Sequence, residues 1–283
     1  MSALAPSAPA PSAPAPGGPP PIEVSGLRKV YRQAASGQEV VAIDRLDLRI
    51  APREVVAIVG QTGCGKSTLF DLMIGLEAPT AGSIVIGGRT PYGDFDHFRG
   101  QIATVFQQDR LLPWRSSLDN VRLPLELMRL SEEVQKKRSL AWLDRLGLGR
   151  FIEAYPHELS GGMRQRVAIA RAFAVEPDIL LADEAFGHLD EVTAAELRET
   201  FLALARECGS TAILITHQLE EAIGVGNRIV VLGKSATLLA DIRVADWRKA
   251  EHAALREAIQ ATLQGNRPDP RLARAEGVTP ATS

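Results

Sequence analysis

Apolar residues fall along this chain in two kinds of pattern. Largely apolar runs of strand length stand at Glu54–Val59, Ile179–Ala182, Ala212–Thr216 and Ile229–Leu232. Runs without polar alternation predict strands covered on both faces. Ile22–Val24, Val40–Ile43, Gly82–Ile86 and Ile102–Phe106 read as further short strands, the first two around a polar loop at Arg32–Gln38. Between them, helical stretches are expected at Lys66–Ile74, Leu118–Leu130, Glu133–Leu146, Met163–Ala174 and Val192–Glu207, with Pro124 disturbing the second. Strands alternating with helices predict an α/β fold with a mostly parallel sheet and a helical insertion at about residues 111–160. Order is expected to begin near Ile22, with the main domain running to about Ala240. Beyond it, residues 241–283 turn polar and helical, and 266–283 read as a frayed tail.

Composition narrows the class. Hydrophobic residues are 45% and charged residues 23% of the 283, ordinary for a globular protein and unlike a disordered one. A formal net charge of -2 gives no basic excess, so nucleic acid is not an expected partner. Two cysteines, Cys64 and Cys208, make no disulfide framework and fit a reducing compartment. The apolar runs are far shorter than the roughly 20 residues of a spanning helix. Residues 1–21 repeat Ala, Pro and Ser without a basic or apolar leader segment, and read as an extended, disordered tail.

The chemistry begins at Gly60-Gln61-Thr62-Gly63-Cys64-Gly65-Lys66-Ser67, a complete G-x-x-x-x-G-K-S/T phosphate loop between a strand and a helix that continues with Thr68. Glycines let successive N–H groups turn inward as an anion nest, and the following helix adds its positive end. Lys66 supplies charge to the β- and γ-phosphates, and the Ser67 hydroxyl is a Mg²⁺ ligand. A nucleotide carrying β- and γ-phosphates, with Mg²⁺, is therefore the expected ligand. Cys64 is a small space-filler or, alternatively, a thiol activated by Lys66. Farther along, an apolar strand ends in Asp183-Glu184. Side-chain alternation points the two acids differently, Asp183 toward the magnesium shell and Glu184 toward an attacking water as general base.

Leu159-Ser160-Gly161-Gly162-Met163 opens a helix with a good N-cap and two glycines, a second anion site. One nucleotide does not need both, so the second suits a nucleotide held by another copy. With these motifs in this order, the chain from about Ile22 to Ala240 resembles the ATP-binding subunits of ABC transporters. The resemblance implies a P-loop NTPase core with an N-terminal antiparallel β subdomain, and makes Leu159–Met163 the signature motif, with Met163 where Gln is commonest. It also implies that Tyr31 stacks on adenine and that Gln107, with Gln108 beside it, touches Mg²⁺ or water and senses the transporter. His217 would bond the γ-phosphate, where a histidine at a strand end is otherwise structural, and Asp190 would lie at the dimer seam. Two departures stand out. Ala185 replaces a usual proline, implying a looser turn at Glu184, and His188 takes a place where small residues are common, as a pH-sensitive group or a solvated one.

The resemblance implies an ATP hydrolase working as a dimer with an identical or paralogous copy, on integral-membrane permease subunits, at the cytoplasmic face of the inner membrane. Phe106–Arg115 with Asp119-Asn120-Val121 is similar to the importer subgroup for nitrate, sulfonate or taurine, in which a solute-binding protein completes the system. Pro113 and Trp114 are expected to line a pocket for a permease helix. The longer, charged segment Pro91–Gly100 departs from that subgroup. Alternatives are an exporter subunit, a soluble ABC ATPase acting on DNA or ribosomes, and a nucleotide-gated module without catalysis.

Overall fold

Strands that carry valine and isoleucine at successive positions need cover on both faces, and the computed structural model of this chain supplies it. Residues 18–32 and 37–274 are described; the tail expected over residues 1–21 lies outside them as far as residue 17, as do 33–36 and 275–283. The strands are β1 (Ile22–Arg32), β2 (Glu39–Ile50), β3 (Val55–Gly60), β4 (Ala81–Ile86), β5 (Ile102–Phe106), β6 (Ile179–Asp183), β7 (Thr211–Thr216), β8 (Arg228–Leu232) and β9 (Leu238–Arg243). The helices are α1 (Lys66–Met73), α2 (Ser117–Leu127), α3 (Glu132–Arg145), α4 (Gly161–Phe173), α5 (Glu191–Cys208), α6 (Leu219–Val225) and α7 (His252–Gly265). Contacts divide the chain into two compact units. The first holds Arg99–Leu180 and Ala185–Ser210; the second holds Pro19–Phe98, Leu181–Glu184 and Thr211 onward.

In the second unit, β3 and β7 are buried at every position and pair in parallel, Val55 opposite Ala212. β8 pairs in parallel along the other side of β3, and β9 closes that edge antiparallel to β8. β9 is a correction, because the sequence reads as turning helical near Ala240. Its burial alternates too weakly to be seen alone, and its pairing with β8 makes it a strand. A separate antiparallel sheet runs β2-β1-β4. Here polar residues alternate with buried ones, as in Leu46, Leu48 and Ile50 between exposed Asp47 and Arg49, so one face is dry. The α/β fold with a mostly parallel sheet and an antiparallel N-terminal sheet is thus the expected one. The tail expected at 266–283 is also revised within the described residues: a 3-10 turn spans Pro270–Arg274, and Leu272 is buried with Leu255 and Ile259 of α7 against Val59 and Val231.

Arg228 ties this unit together. Its guanidinium is bidentate to Asp241 on β9, at 2.6 and 2.5 Å, and reaches Glu54 at 3.2 Å and the Arg49 carbonyl at 2.7 Å. Replacing Arg228 with methionine leaves two poorly hydrated carboxylates without a counter-charge. The pairs are partly buried, so the expected cost is about 2 kcal/mol, the scale of hydrogen bonds to charged groups. It is read as a lower urea midpoint at unchanged slope; a midpoint equal to the parent's contradicts it.

In the first unit the core is aromatic. Trp142, Phe173, Phe201 and Phe186 form a chain of ring contacts 5.3 to 5.9 Å apart, linking α3, α4, α5 and the segment after Glu184. Serine or aspartate caps four helices: Ser116 on α2, Ser131 on α3, Ser160 on α4 and Asp190 on α5. Pro124 sits inside α2, which continues through it to Leu127.

Candidate nucleotide site

The phosphate loop is shaped by what its glycines must avoid. A Cβ on Gly60 would lie 2.5 Å from Cys64 Sγ and 2.8 Å from the Leu232 carbonyl. Gly65 has φ 112, and a Cβ there would meet the Ala42 carbonyl at 2.4 Å. Neither position admits a side chain, so the backbone curls tightly from β3 into α1. Lys66 is only 7% exposed, and its Nζ donates to the Gly60 carbonyl at 2.8 Å and the Gln61 carbonyl at 3.1 Å. Its charge is therefore held inside the loop's own curl. Gln61, Thr62, Gly63 and Ser67 are exposed and Thr68 is half-buried. Cys64 is buried, and burial pushes its thiol up despite the nearby Lys66 ammonium. That favours the space-filling reading over the activated thiol.

Tyr31 is the penultimate residue of β1, in the same unit. Its hydroxyl donates to Glu77 at 2.7 Å, and Lys29 Nζ lies 4.9 Å from its ring centroid. Lys29 also pairs with Glu77 at 2.8 Å. Burial, then the Glu77 contact, push the phenol up, while Thr68 pulls the other way. One ring face is thus already taken by a cation, a partner the sequence did not reveal.

Asp183 is the last residue of β6, and Glu184 leaves the strand with φ 47. The left-handed turn falls at the step between the two acids, so regular strand alternation stops at Asp183. Glu184 N donates to the Ile215 carbonyl of β7 at 2.8 Å. Ala185 is buried, and its carbonyl accepts from Gln165 Nε2 at 2.7 Å. The turn expected to loosen without proline is instead hydrogen-bonded at both residues. His217 follows β7, and its Nδ1 lies 3.1 Å from Glu184 Oε1. Thr216 accepts from Gln218 N at 3.0 Å and bonds Glu221, which fixes the turn carrying His217. The phosphate loop, Tyr31, Asp183, Glu184 and His217 all belong to this one unit.

The remaining candidates belong to the other unit. Gln107 and Gln108 are both exposed, directly after β5. Sequence reading missed how the following loop is wired to α4. Arg164 Nε binds Asp109 at 2.9 Å, Arg171 donates to the Asp109 and Arg110 carbonyls, and Gln165 Nε2 reaches the Phe106 carbonyl at 3.4 Å. Arg164 and Arg171 lie two helical turns apart, a spacing that signals one shared face. Asn120 is wholly buried and bonds backbone groups of Leu112, Arg115 and Ser116, so it fixes the loop before α2. Trp114, expected to line a pocket, is 71% exposed.

Ser160 caps α4, its Oγ accepting from Met163 N at 3.3 Å. A Cβ on Gly162 would come 2.9 Å from Thr193, whereas one on Gly161 would make only ordinary contact, 3.6 Å from Leu189. Packing within the chain explains the second glycine and not the first. Asp190 caps α5 by accepting from Thr193 N at 3.0 Å, and that bond holds its carboxyl below the usual range. His188 is exposed.

These residues fit ATP and Mg²⁺ by their chemistry. Gly60 and Gly65 press against Cys64, Leu232 and Ala42, whereas a Cβ on Gly63 would meet no described atom within 4 Å, so the loop is open there, and Ser67 and Asp183 offer the hard oxygens Mg²⁺ prefers beside phosphates.

The family described as ABC transporter matches residues 43–187. The taurine import ATP-binding protein TauB of Rhizobium johnstonii is 41% identical over 206 residues, covering 72% of this chain and 76% of that protein. The nitrate import ATP-binding protein NrtC of Synechococcus elongatus is 37% identical over 215 residues, 75% of this chain and 32% of that one. The solved dimer of the ATP-binding cassette MJ0796, bound to ADP and Pi, superposes with a TM-score of 0.70 at 33% identity, over 79% of this chain and 98% of that one.

Proposed function

Since the chain belongs to the ABC transporter family, we propose that it is the ATP-hydrolysing subunit of an importer for a small anionic solute such as taurine, another sulfonate or nitrate. The observation that carries the catalytic part is Glu184 against His217, 3.1 Å apart, in the unit that holds the phosphate loop. Loop N–H groups and Lys66 hold the β- and γ-phosphates. Glu184 takes a proton from the attacking water as the new oxygen–phosphorus bond forms and the bond from the γ-phosphorus to the β–γ bridging oxygen breaks, leaving ADP and phosphate. His217, oriented through Nδ1 by Glu184, offers Nε2 to the γ-phosphate and donates to it once protonated. When bound, Mg²⁺ neutralises phosphate charge, with Ser67 and Asp183 to hold it. Tyr31 offers its remaining ring face to adenine. For Gln107, the exposed position directly after β5 supports a contact role, as metal ligand and transporter sensor.

A second copy of the chain, or a paralogue, completes the site through Ser160, Gly161 and Gly162. Gly161 supports this, since among the described residues nothing closer than ordinary contact requires a glycine there. Val192, 79% exposed beside Asp190, supports a covered seam at that place. The permease is proposed to dock at a cavity of about 360 Å³ in the first unit, lined by Phe106, Arg110, Leu123, Leu127 and Arg171. No helix among the described residues is long and apolar enough to cross a membrane. In this reading the chain sits at the cytoplasmic face of the inner membrane by binding that permease, and a solute-binding protein delivers the solute. Tagged protein drawn from gently solubilised membranes is expected to bring a multi-span permease in stoichiometric amount. Recovery only from the soluble fraction, with ribosomal or DNA-repair proteins, overturns the transport reading.

A further inference from the structure

The phosphate loop is gripped from outside by the C-terminal part of its own unit. Ala236 N donates to the Cys64 carbonyl at 2.6 Å. Lys234 N, in the same β8–β9 turn, donates to Asn266 Oδ1 at 2.9 Å. Gln61 Nε2 returns from the loop to the Leu263 carbonyl in the last turn of α7, at 2.8 Å. The contacts close a ring: loop, β8–β9 turn, end of α7, loop. It borders a cavity of about 230 Å³.

The ring is built from backbone that ordinary residues avoid. Ser235 and Ala236 have φ 51 and 53, two consecutive left-handed residues with side chains, and Asn266 has φ 46. Such conformations persist only where their surroundings over-determine them, and they gather at functional sites. Here Ser235 Oγ donates to the Val41 carbonyl at 2.9 Å, and Ala236 is fully buried. Asparagine is among the few residues that tolerate the left-handed cap of a helix. The outer member cannot drift, because Leu255, Ala258 and Ile259 of α7 are fully buried against the β3–β8 core.

The geometry has a consequence for the loop. A trans peptide points its carbonyl and its N–H in opposite directions. Ala236 fixes the Cys64 carbonyl, so the Gly65 N–H is turned away from Ala236, to the opposite side of the loop. We infer that Asn266, at the end of α7, is a positioning residue for the phosphate loop: it holds the β8–β9 turn that aims the loop's N–H groups before nucleotide arrives. The inference rests on the loop being the ATP site. Fixing donors in advance lowers the ordering cost of binding.

The test uses the full chain and reads ATP KM, kcat and the Kd of a fluorescent ATP analogue. Asn266→Gly keeps the left-handed cap and removes only the acceptor. It is expected to raise KM and Kd about fivefold, the scale of one lost hydrogen bond, with kcat within about twofold. Asn266→Asp retains an oxygen for Lys234 N and is expected to restore the parent values. Unchanged KM and Kd in Asn266→Gly, even with a lowered melting temperature, overturn the inference, as does an Asn266→Asp variant equally impaired. Should Asn266→Gly not fold, Ser235→Ala, which cuts the same turn's tie to the Val41 carbonyl, carries the readout: raised KM with kcat retained supports positioning of the loop by the turn, and an unchanged KM overturns it. Lys66→Ala run alongside separates the two readings, since undiminished ATP affinity there would sink the ATP site itself.

Discussion

Glutamine at position 184 is expected to bind ATP normally and to hydrolyse it at least about 10²-fold more slowly, the lower end of what loss of a general base costs. The substitution is nearly isosteric, and the backbone at this position does not depend on the carboxylate. Its N–H is held by the Ile215 carbonyl at 2.8 Å and its φ is 47. An amide can still meet His217 Nδ1, so the histidine turn is preserved while the proton acceptor is lost. Phosphate release measured beside nucleotide affinity separates the two: slow release at parental affinity is the expected pair. Near-parental turnover would remove Glu184 from the proposed role.

Alanine at position 66 is expected to abolish tight nucleotide binding, weakening it by about 10- to 100-fold, the scale of charge-assisted hydrogen bonds to phosphate. The ammonium is 7% exposed and bonded to the Gly60 and Gln61 carbonyls. Its removal therefore takes away both the charge and an internal tie of the loop. Circular dichroism should show the fold retained, because β3 and α1 are anchored by buried apolar residues on either side. Unchanged ATP affinity in a folded Lys66→Ala protein would contradict the loop assignment.

The two residues also mark how far reading the chain can reach. Lys66 is legible from eight contiguous positions, since a phosphate loop is a local object whose glycines, lysine and serine stand in fixed order. Glu184 is legible as a candidate, yet its left-handed turn is not. The turn is imposed by the Ile215 carbonyl, thirty-one positions away in the chain. Asp190 was read only as a seam residue, and the structure adds its capping of α5, a signal present in the Asp-x-x-Thr spacing. The Arg164, Gln165 and Arg171 contacts to the end of β5 and the loop after it needed the fold, because each joins groups far apart in the chain.

By itself the sequence determined the class of fold, the order of its buried strands and the identity of the phosphate-binding segment. Each follows from short-range rules: apolar runs that must be covered, helix caps that must accept, glycines where side chains cannot fit. Only the tertiary structure decided that β9 is a strand, that Lys29 occupies one face of Tyr31, that Glu184 meets His217, and that α7 returns to Gln61. These depend on hydrogen bonds between distant segments. Such bonds leave little trace in local composition, because a donor such as Gln61 or an acceptor such as Asn266 is equally at home in water until folding brings its partner within reach.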